Sequence, residues 1–310
     1  MEYASEIQHL FPQLDIRKNQ PLCDYTSFQL GGPCTLFIDS PPADQLPPLV
    51  RTLNEKEIPL LLIGQGSNLV ISDTGLDCAI IRFCSTVPHI KVTETRVTVS
   101  GDTLMEDFSR ETVENAIGDL SYCTGIPGTV GGGIAGNAGA FGRQIGDHLV
   151  SAEILDLDGD TRTVDHSELH FAYRHSILKE TGEIVLSATF DLPQEEADVM
   201  LAERKRILQF REEHHPDWHT IPCAGSVFRN IEATSAAERR QAAGWFLEEA
   251  GIHNQHIGGA KIYNKHANII IGGEGCTAQN VWDLSEQMKQ AVQQKFGIEL
   301  VREVRFLGKF

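Results

Sequence analysis

Two stretches of the chain combine glycine with small polar residues in a way that suits phosphate chemistry. The first is Ile63-Gly64-Gln65-Gly66-Ser67-Asn68-Leu69-Val70, with its glycines and small polar residues set between apolar flanks. Where no Cβ intervenes, backbone N–H groups come close to a ligand and converge on phosphate oxygens as a nest. Taken alone, the stretch reads equally well as a tight turn between strands. The second, residues 124–142, holds eight glycines in nineteen residues. That much glycine carries a large ordering entropy, which a fold tolerates where backbone must lie against a flat or charged ligand. A flexible linker is the bland alternative, but Ile126, Val130, Ile134 and Phe141 stand where a solvated linker would carry serine and charge. Neither stretch places a G-x-G-x-x-G spacing after a first strand with the downstream acidic residue of the usual dinucleotide-binding fold.

One further cluster, His214, His215, His219 and Cys223, resembles a metal site at first sight. Pro216 breaks the helix that would align His215 with His219, and the spacing matches no standard zinc pattern, so no metal is expected. Cys223 has no assignable histidine partner and is not expected to act as a nucleophile.

These stretches need elements to hold them. Apolar runs at residues 35–38, 59–63 and 79–83 flank a helical pattern of Leu46, Leu49, Val50 and Leu53, which predicts a small α/β unit. Residues 91–100 alternate as a hairpin about Glu94-Thr95, and Leu104, Phe108 and Ala116 predict a helix. A hairpin over 149–164 turning at Asp158-Gly159, with a strand over 184–192, gives this second unit an α+β character. Residues 194–213 are rich in helix formers and stop before Pro216, which predicts a helical connector. Beyond it, Ser235 and Glu238 form a capping box for a helix closed by Gly251. Thr277 caps another, with Val281, Leu284, Met288 and Val292 on one face and Gly297 at its end. Strands are expected over 267–271 and 303–307. The division expected is residues 1–90, 91–204 and 205–310.

The composition narrows the function classes. A chain of 310 residues with 41% hydrophobic and 22% charged residues predicts two or three globular units. The most apolar run, residues 58–71, is interrupted by Gly64, Gln65, Gly66, Ser67 and Asn68, so no membrane span is expected. Glu2, Glu6, Asp15, Arg17 and Lys18 leave the N-terminus without the apolar core of a secretory signal, and the cytoplasm is the expected address. Seven scattered cysteines without a C-x-x-C pair argue for reduced thiols. A formal charge of −17 excludes nucleic acid and anionic membrane as partners, so any phosphate must be met by local donors. No protein partner is legible.

The two glycine-bearing stretches resemble the FAD-binding segments of the UDP-N-acetylenolpyruvoylglucosamine reductase family, within the vanillyl-alcohol-oxidase flavoprotein superfamily. Further motifs recur in order: residues 25–32 (YTSFQLGG), 171–176 (FAYRHS), 224–230 (AGSVFRN), 243–245 (AGW), 257–260 (IGGA), 265–268 (KHAN) and 303–306 (EVRF). The resemblance covers roughly residues 20–308. It implies an α+β chain whose first two parts form an FAD-binding region of the vanillyl-alcohol-oxidase type, followed by a smaller α/β substrate domain. The interval from Arg174 to Ser226 is short, which fits the family's shorter subclass, without a substrate-capping insertion.

The resemblance also implies cofactors, substrate and residues. NADPH reduces FAD, and the enolpyruvyl group of UDP-N-acetylglucosamine-enolpyruvate is then reduced to UDP-N-acetylmuramate, in peptidoglycan precursor synthesis. In the first stretch, Gly64, Gly66, Ser67, Asn68 and Leu69 are implied FAD contacts. In the second, they are Thr124, Gly125, Ile126, Pro127, Gly128 and Thr129, then Gly131, Gly132, Asn137, Gly139 and Ala140. By motif position, Arg174 would meet the developing enolate with its guanidinium fork. Glu303, in its protonated form, would polarise the carboxylate, and Ser226 would donate the proton. Tyr173, Arg174, Arg229, Asn230 and His266 fall at substrate-side positions. Arg229 replaces a common lysine, Ile231 a usual proline, and Tyr263-Asn264 usual small and acidic residues, which touches pocket contacts and not the reaction. Outside the family context, Ser226 reads as a turn hydroxyl, Arg174 as a surface ion-pair residue, Glu303 as a solvated strand residue and His266 as a structural histidine. The rival readings are another flavin oxidase of the superfamily and a catalytically inactive flavoprotein scaffold.

Overall fold

The computed structural model describes residues 3–118, 120–232 and 240–310. The chain divides into two compact units. The first comprises residues 1–20, 34–65 and 77–210, and the second residues 21–33, 66–76 and 211–310.

The first unit contains two sheets. In one, the strands Asp15–Pro21, Pro33–Asp39, Leu76–Arg82 and Leu60–Ile63 lie side by side in that order. Helix α1 (Tyr3–Leu10) and helix α2 (Leu46–Glu55) accompany it. α2 has proline in its first turn, where a missing N–H costs nothing, and it buries Leu46, Leu49, Val50 and Leu53 completely, the face its spacing predicts. These leucines share a core with Leu36, Ile38, Ala79 and Ile81. Full burial of each such side chain is worth about 1.5–3 kcal/mol.

The other sheet is antiparallel, in the order Thr161–Asp165, Leu149–Leu155, Ile184–Asp191, Arg96–Ser100 and Ile90–Thr93. Its two hairpins turn at Glu94 and Gly159, both at positive φ (56° and 86°). Helix α3 (Met105–Glu114) packs on it, Phe108 meeting Phe190 with ring centroids 5.1 Å apart. α3 is shorter than its sequence pattern predicts: Ala116 turns left-handed at φ 54° and the Ile117 N–H returns to the Thr112 carbonyl at 2.9 Å. Helix α4 (Val130–Ala135) and helix α5 (Leu178–Thr181) follow. The predicted connector is helix α6 (Ala197–His214), which begins in this unit and continues past its last residue.

In the second unit, the strands Cys223–Ser226, His266–Gly272, Ala260–Tyr263 and His256–Ile257 form an antiparallel sheet in that order. Helix α7 (Ala243–Glu249) packs on it and starts later than predicted, because Gln241 bridges Ile231 in extended conformation and Ala242 is extended too; Ser235 and Glu238 themselves lie outside the described residues. Helix α8 (Ala278–Phe296) is capped by Thr277, in a capping box with Asn280, and closes at Gly297 with φ 69°. Asp73 reinforces that cap, its carboxylate accepting from the N–H groups of Ala278 (2.9 Å) and Gln279 (3.2 Å). Such ties, with the parallel pairing of Leu69–Ile71 and Arg305–Leu307, group residues 66–76 with the C-terminal third. The last strand is narrower than predicted because Glu303 and Val304 both donate to the Val227 carbonyl (2.8 and 3.4 Å). Among the described residues no helix is long and apolar enough to cross a membrane.

Candidate active site

Gly64 and Gln65 of the first glycine-bearing stretch meet the second stretch within the first unit. Gln65 accepts, through Oε1, the N–H of Gly128 at 2.6 Å. A Cβ on Gly64 would lie 2.5 Å from Thr129 Oγ1, so only glycine allows this approach. Gly66 sits at φ 69°, and a Cβ there would overlap the Tyr25 carbonyl oxygen. Among the described residues, the N–H groups of Gly64, Gln65, Gly66 and Asn68 have no acceptor. A glycine cradle with backbone donors to spare fits a phosphate-bearing cofactor, and FAD is such a group. Thr129 caps α4, its Oγ1 accepting from Gly132 at 3.3 Å.

Not every expected FAD residue offers a side chain. Thr124 is fully buried, its hydroxyl bonded to Ser109 Oγ and to Arg204 Nη1, each at 3.0 Å. Asn137 is also buried: its amide donates to Gln144 Oε1 and the Ala172 carbonyl, both at 2.9 Å, and accepts from Gly146. These side chains are taken up in shaping the glycine-rich segment, which leaves backbone atoms as their means of touching a cofactor.

The same segment holds Arg174. Its Nη1 donates to the Gly139 carbonyl at 2.8 Å, and its guanidinium lies 5.7 Å from the Tyr173 ring. The backbone at Arg174 is left-handed, φ 56°, a conformation costing a non-glycine residue about 1–2 kcal/mol. Neighbours hold it there. Lys179 Nζ donates to the Arg174 carbonyl at 2.7 Å, the Asn137 amide grips Ala172, and the buried Ser176 hydroxyl donates to the Ala135 carbonyl at 2.9 Å. Backbone strain maintained by surrounding ties is characteristic of functional loops.

In the second unit, Ser226 and Glu303 come onto neighbouring segments. Phe228 bridges Arg302 antiparallel, and the Glu303 N–H donates to the carbonyl of Val227, the residue after Ser226, at 2.8 Å. Asn268 fixes this turn: it accepts from the Val227 N–H (2.8 Å) through its carbonyl and from Phe228 (3.0 Å) through Oδ1, and it donates to the Phe228 carbonyl (2.8 Å). Asn68 of the first glycine stretch donates to the Glu303 carbonyl at 3.1 Å. The Arg229 Nε is buried without a hydrogen-bond partner among the described residues, and Asn230 accepts the Ala243 N–H at 3.2 Å, tying two motifs together.

His266 is half-buried, and its Nδ1 accepts the Asn268 N–H at 3.2 Å, so one ring nitrogen serves the fold. Its ring lies 5.7 Å from that of His215. Burial lowers the pKa of both, that of His215 to about 4, with the positive charge of Arg211 adding to the effect. The Cys223 thiol is buried and its pKa raised for that reason, the opposite of an activated nucleophile. Among the described residues no group of His, Cys, Asp and Glu is arranged to hold a metal ion.

A model of an FAD binding domain matches residues 42–165, and one of the C-terminal domain of UDP-N-acetylenolpyruvoylglucosamine reductase matches residues 215–307. The reductase of that name from Lactobacillus delbrueckii subsp. bulgaricus is 34% identical over 296 residues, 96% of each chain. This chain belongs to the UDP-N-acetylenolpyruvoylglucosamine reductase family. The enzyme from Anoxybacillus flavithermus is 32% identical over 95% of both chains. The crystal structure of the Thermus caldophilus reductase superposes with a TM-score of 0.76 at 25% identity, covering 95% of this chain and 99% of that one.

Three structural residues carried no signal that spacing could reveal. Lys179, Glu106 and Arg204 act on the family's glycine and arginine motifs across the fold, and α6, which carries Arg204, lies between the two matched stretches. Gln65 lies within the first glycine-bearing stretch, and only the structure gives its side chain a partner.

Proposed function

We propose that this chain reduces the enolpyruvyl double bond of UDP-N-acetylglucosamine-enolpyruvate to give UDP-N-acetylmuramate, with NADPH as reductant, in the cytoplasm. FAD, when bound, supplies the hydride exchange between the nicotinamide and the enolpyruvyl group. The residues that would hold it are the backbone of Gly64–Asn68 and of residues 124–140, where glycine permits close approach.

The protein's own chemistry concerns charge and a proton. Hydride addition at the terminal carbon leaves negative charge on the adjacent carbon and its carboxylate. Arg174 stabilises that charge, because a planar guanidinium offers paired donors to a carboxylate. Glu303, as the neutral acid, donates a hydrogen bond to the same group. Ser226 Oγ–H then protonates the carbon, and the serine alkoxide regains its proton from solvent. Arg229 and Asn230 lie beside Ser226 in sequence and suit the diphosphate and uridine side of the substrate.

The observation that carries this reading is the placing of Ser226 and Glu303 on adjacent segments through the 2.8 Å bond from Glu303 N to Val227 O, in a chain of the reductase family. The test is rapid mixing of NADPH-reduced enzyme with the enolpyruvyl sugar in the absence of oxygen. Reoxidation of the flavin with formation of UDP-N-acetylmuramate is expected. A flavin that stays reduced with the enolpyruvyl sugar and is reoxidised only when oxygen is then admitted would instead assign the chain to the oxidases.

A further inference from the structure

The glycine-rich segment begins at an ion pair that none of the family motifs contains. Arg204, on α6, pairs with Glu106, on α3. Arg204 also donates from Nη1 to Thr124 Oγ1 at 3.0 Å, while Glu106 Oε2 accepts the N–H of Gly125 at 2.7 Å. The two charges therefore close a ring through the first two residues of the segment. The Thr124 hydroxyl continues the network to Ser109, which donates to the Leu120 carbonyl at 3.0 Å.

This pair differs from the ordinary ion pairs of the same helix. The Arg204 side chain is 15% exposed, against 54% for Arg206 in its pair with Glu203. A partly desolvated pair with hydrogen bonds on both partners fixes geometry far better than a solvated one. Arg204 also lies on the only face that α6 buries, between Met200 and Ile207 at helical spacing, while Val199, Leu201 and Leu208 point outward, 62%, 52% and 43% exposed. With so little apolar burial, polar ties must seat the helix. The other end of the segment meets the same helix: Phe141 packs edge-on against Phe210 at 5.6 Å and under the Arg206 guanidinium at 5.2 Å.

We propose that Arg204 and Glu106 are positioning residues for FAD, holding Thr124 and Gly125 so that the backbone following them is preorganised for the cofactor. This rests on the reading that residues 124–140 contact FAD. The physical ground is that a glycine-rich segment binds well only if its ordering entropy has been met before the ligand arrives. Removing Arg204 leaves Glu106 without its cation, and the carboxylate turns to water and releases Gly125.

The test compares FAD affinity, by fluorescence titration of protein stripped of flavin, for wild type, Arg204→Met, Glu106→Gln, the double variant and Arg204→Lys. Urea unfolding of the stripped proteins and visible circular dichroism of the bound flavin are measured alongside. Each single neutralisation is expected to weaken FAD binding at least about tenfold and to alter the flavin dichroism, with the double variant no worse than the poorer single one. Arg204→Lys, which keeps the charge and stays folded if the methionine variant does not, is expected to recover part of the affinity. FAD affinity and flavin dichroism like wild type in the folded variants, with or without a loss of stability, would overturn the inference and leave the pair a structural tie. Failure of wild-type protein to bind FAD would instead overturn the reading beneath it.

Discussion

Arg174 donates to the Gly139 carbonyl at 2.8 Å, so the guanidinium assigned to the substrate's developing charge is held by the segment assigned to the cofactor. A shift in that segment is a shift in the arginine. Substituting Arg174 by lysine removes the planar fork while keeping the charge. Flavin reduction by NADPH should be almost unchanged, and reoxidation by the enolpyruvyl sugar should slow by about a hundredfold or more. Stopped-flow absorbance separates the two steps, and equal slowing of both would point to a damaged flavin site instead.

Ser226→Ala should show a sharper version of the same split. Only the second step consumes a proton, so NADPH should still bleach the flavin at the wild-type rate. Substrate reduction should fall by about 10²–10⁴-fold, the usual scale for losing a positioned acid.

Gly66→Ala tests the cradle. The added methyl would overlap the Tyr25 carbonyl at a left-handed backbone position, a cost of about 1–3 kcal/mol before any clash is counted. The variant should purify with far less FAD, seen in the ratio of visible to ultraviolet absorbance.

Asp73→Ala should destabilise the protein without touching the chemistry. It removes a carboxylate that accepts from two N–H groups at the start of α8, a loss of about 1 kcal/mol. The midpoint of urea unfolding should fall, with per-flavin turnover retained.

Acid should weaken the fold through His215. Burial, helped by the charges of Arg211, His266 and His214, keeps its pKa at about 4, against the usual 6.5. Between those values the unfolded chain binds a proton that the native one refuses, so this contribution is present above pH 6.5 and is lost as pH falls toward 4. Unfolding free energy measured from pH 7 to 4.5 should drop more steeply for wild type than for His215→Gln. Identical slopes would remove His215 from the account.

Local periodicity made much of this fold legible. The apolar stripe of α2, the Thr277 and Gly297 stops of α8, and the hairpins at Glu94 and Gly159 are decided by residues within a few positions of one another. The pairing of Leu69–Ile71 with Arg305–Leu307 is decided by contacts across most of the chain and has no local signature. In the site, the glycine stretches announced themselves by composition and Ser226 and Glu303 by family motifs, whereas the bringing together of their segments is visible only in the Glu303–Val227 bond. The side chains of Thr124 and Asn137 also shape the backbone of their motif, a role that only their hydrogen bonds reveal. Arg204 and Glu106 belong to no motif, and a lone arginine on a charged helix looks like solvated surface.

The most direct test of the central claim is anaerobic. Purified protein should be yellow, lose its visible band on addition of NADPH, and regain it stoichiometrically when UDP-N-acetylglucosamine-enolpyruvate is added, with UDP-N-acetylmuramate as the product. Protein that binds FAD yet stays bleached in the presence of that substrate would contradict the account.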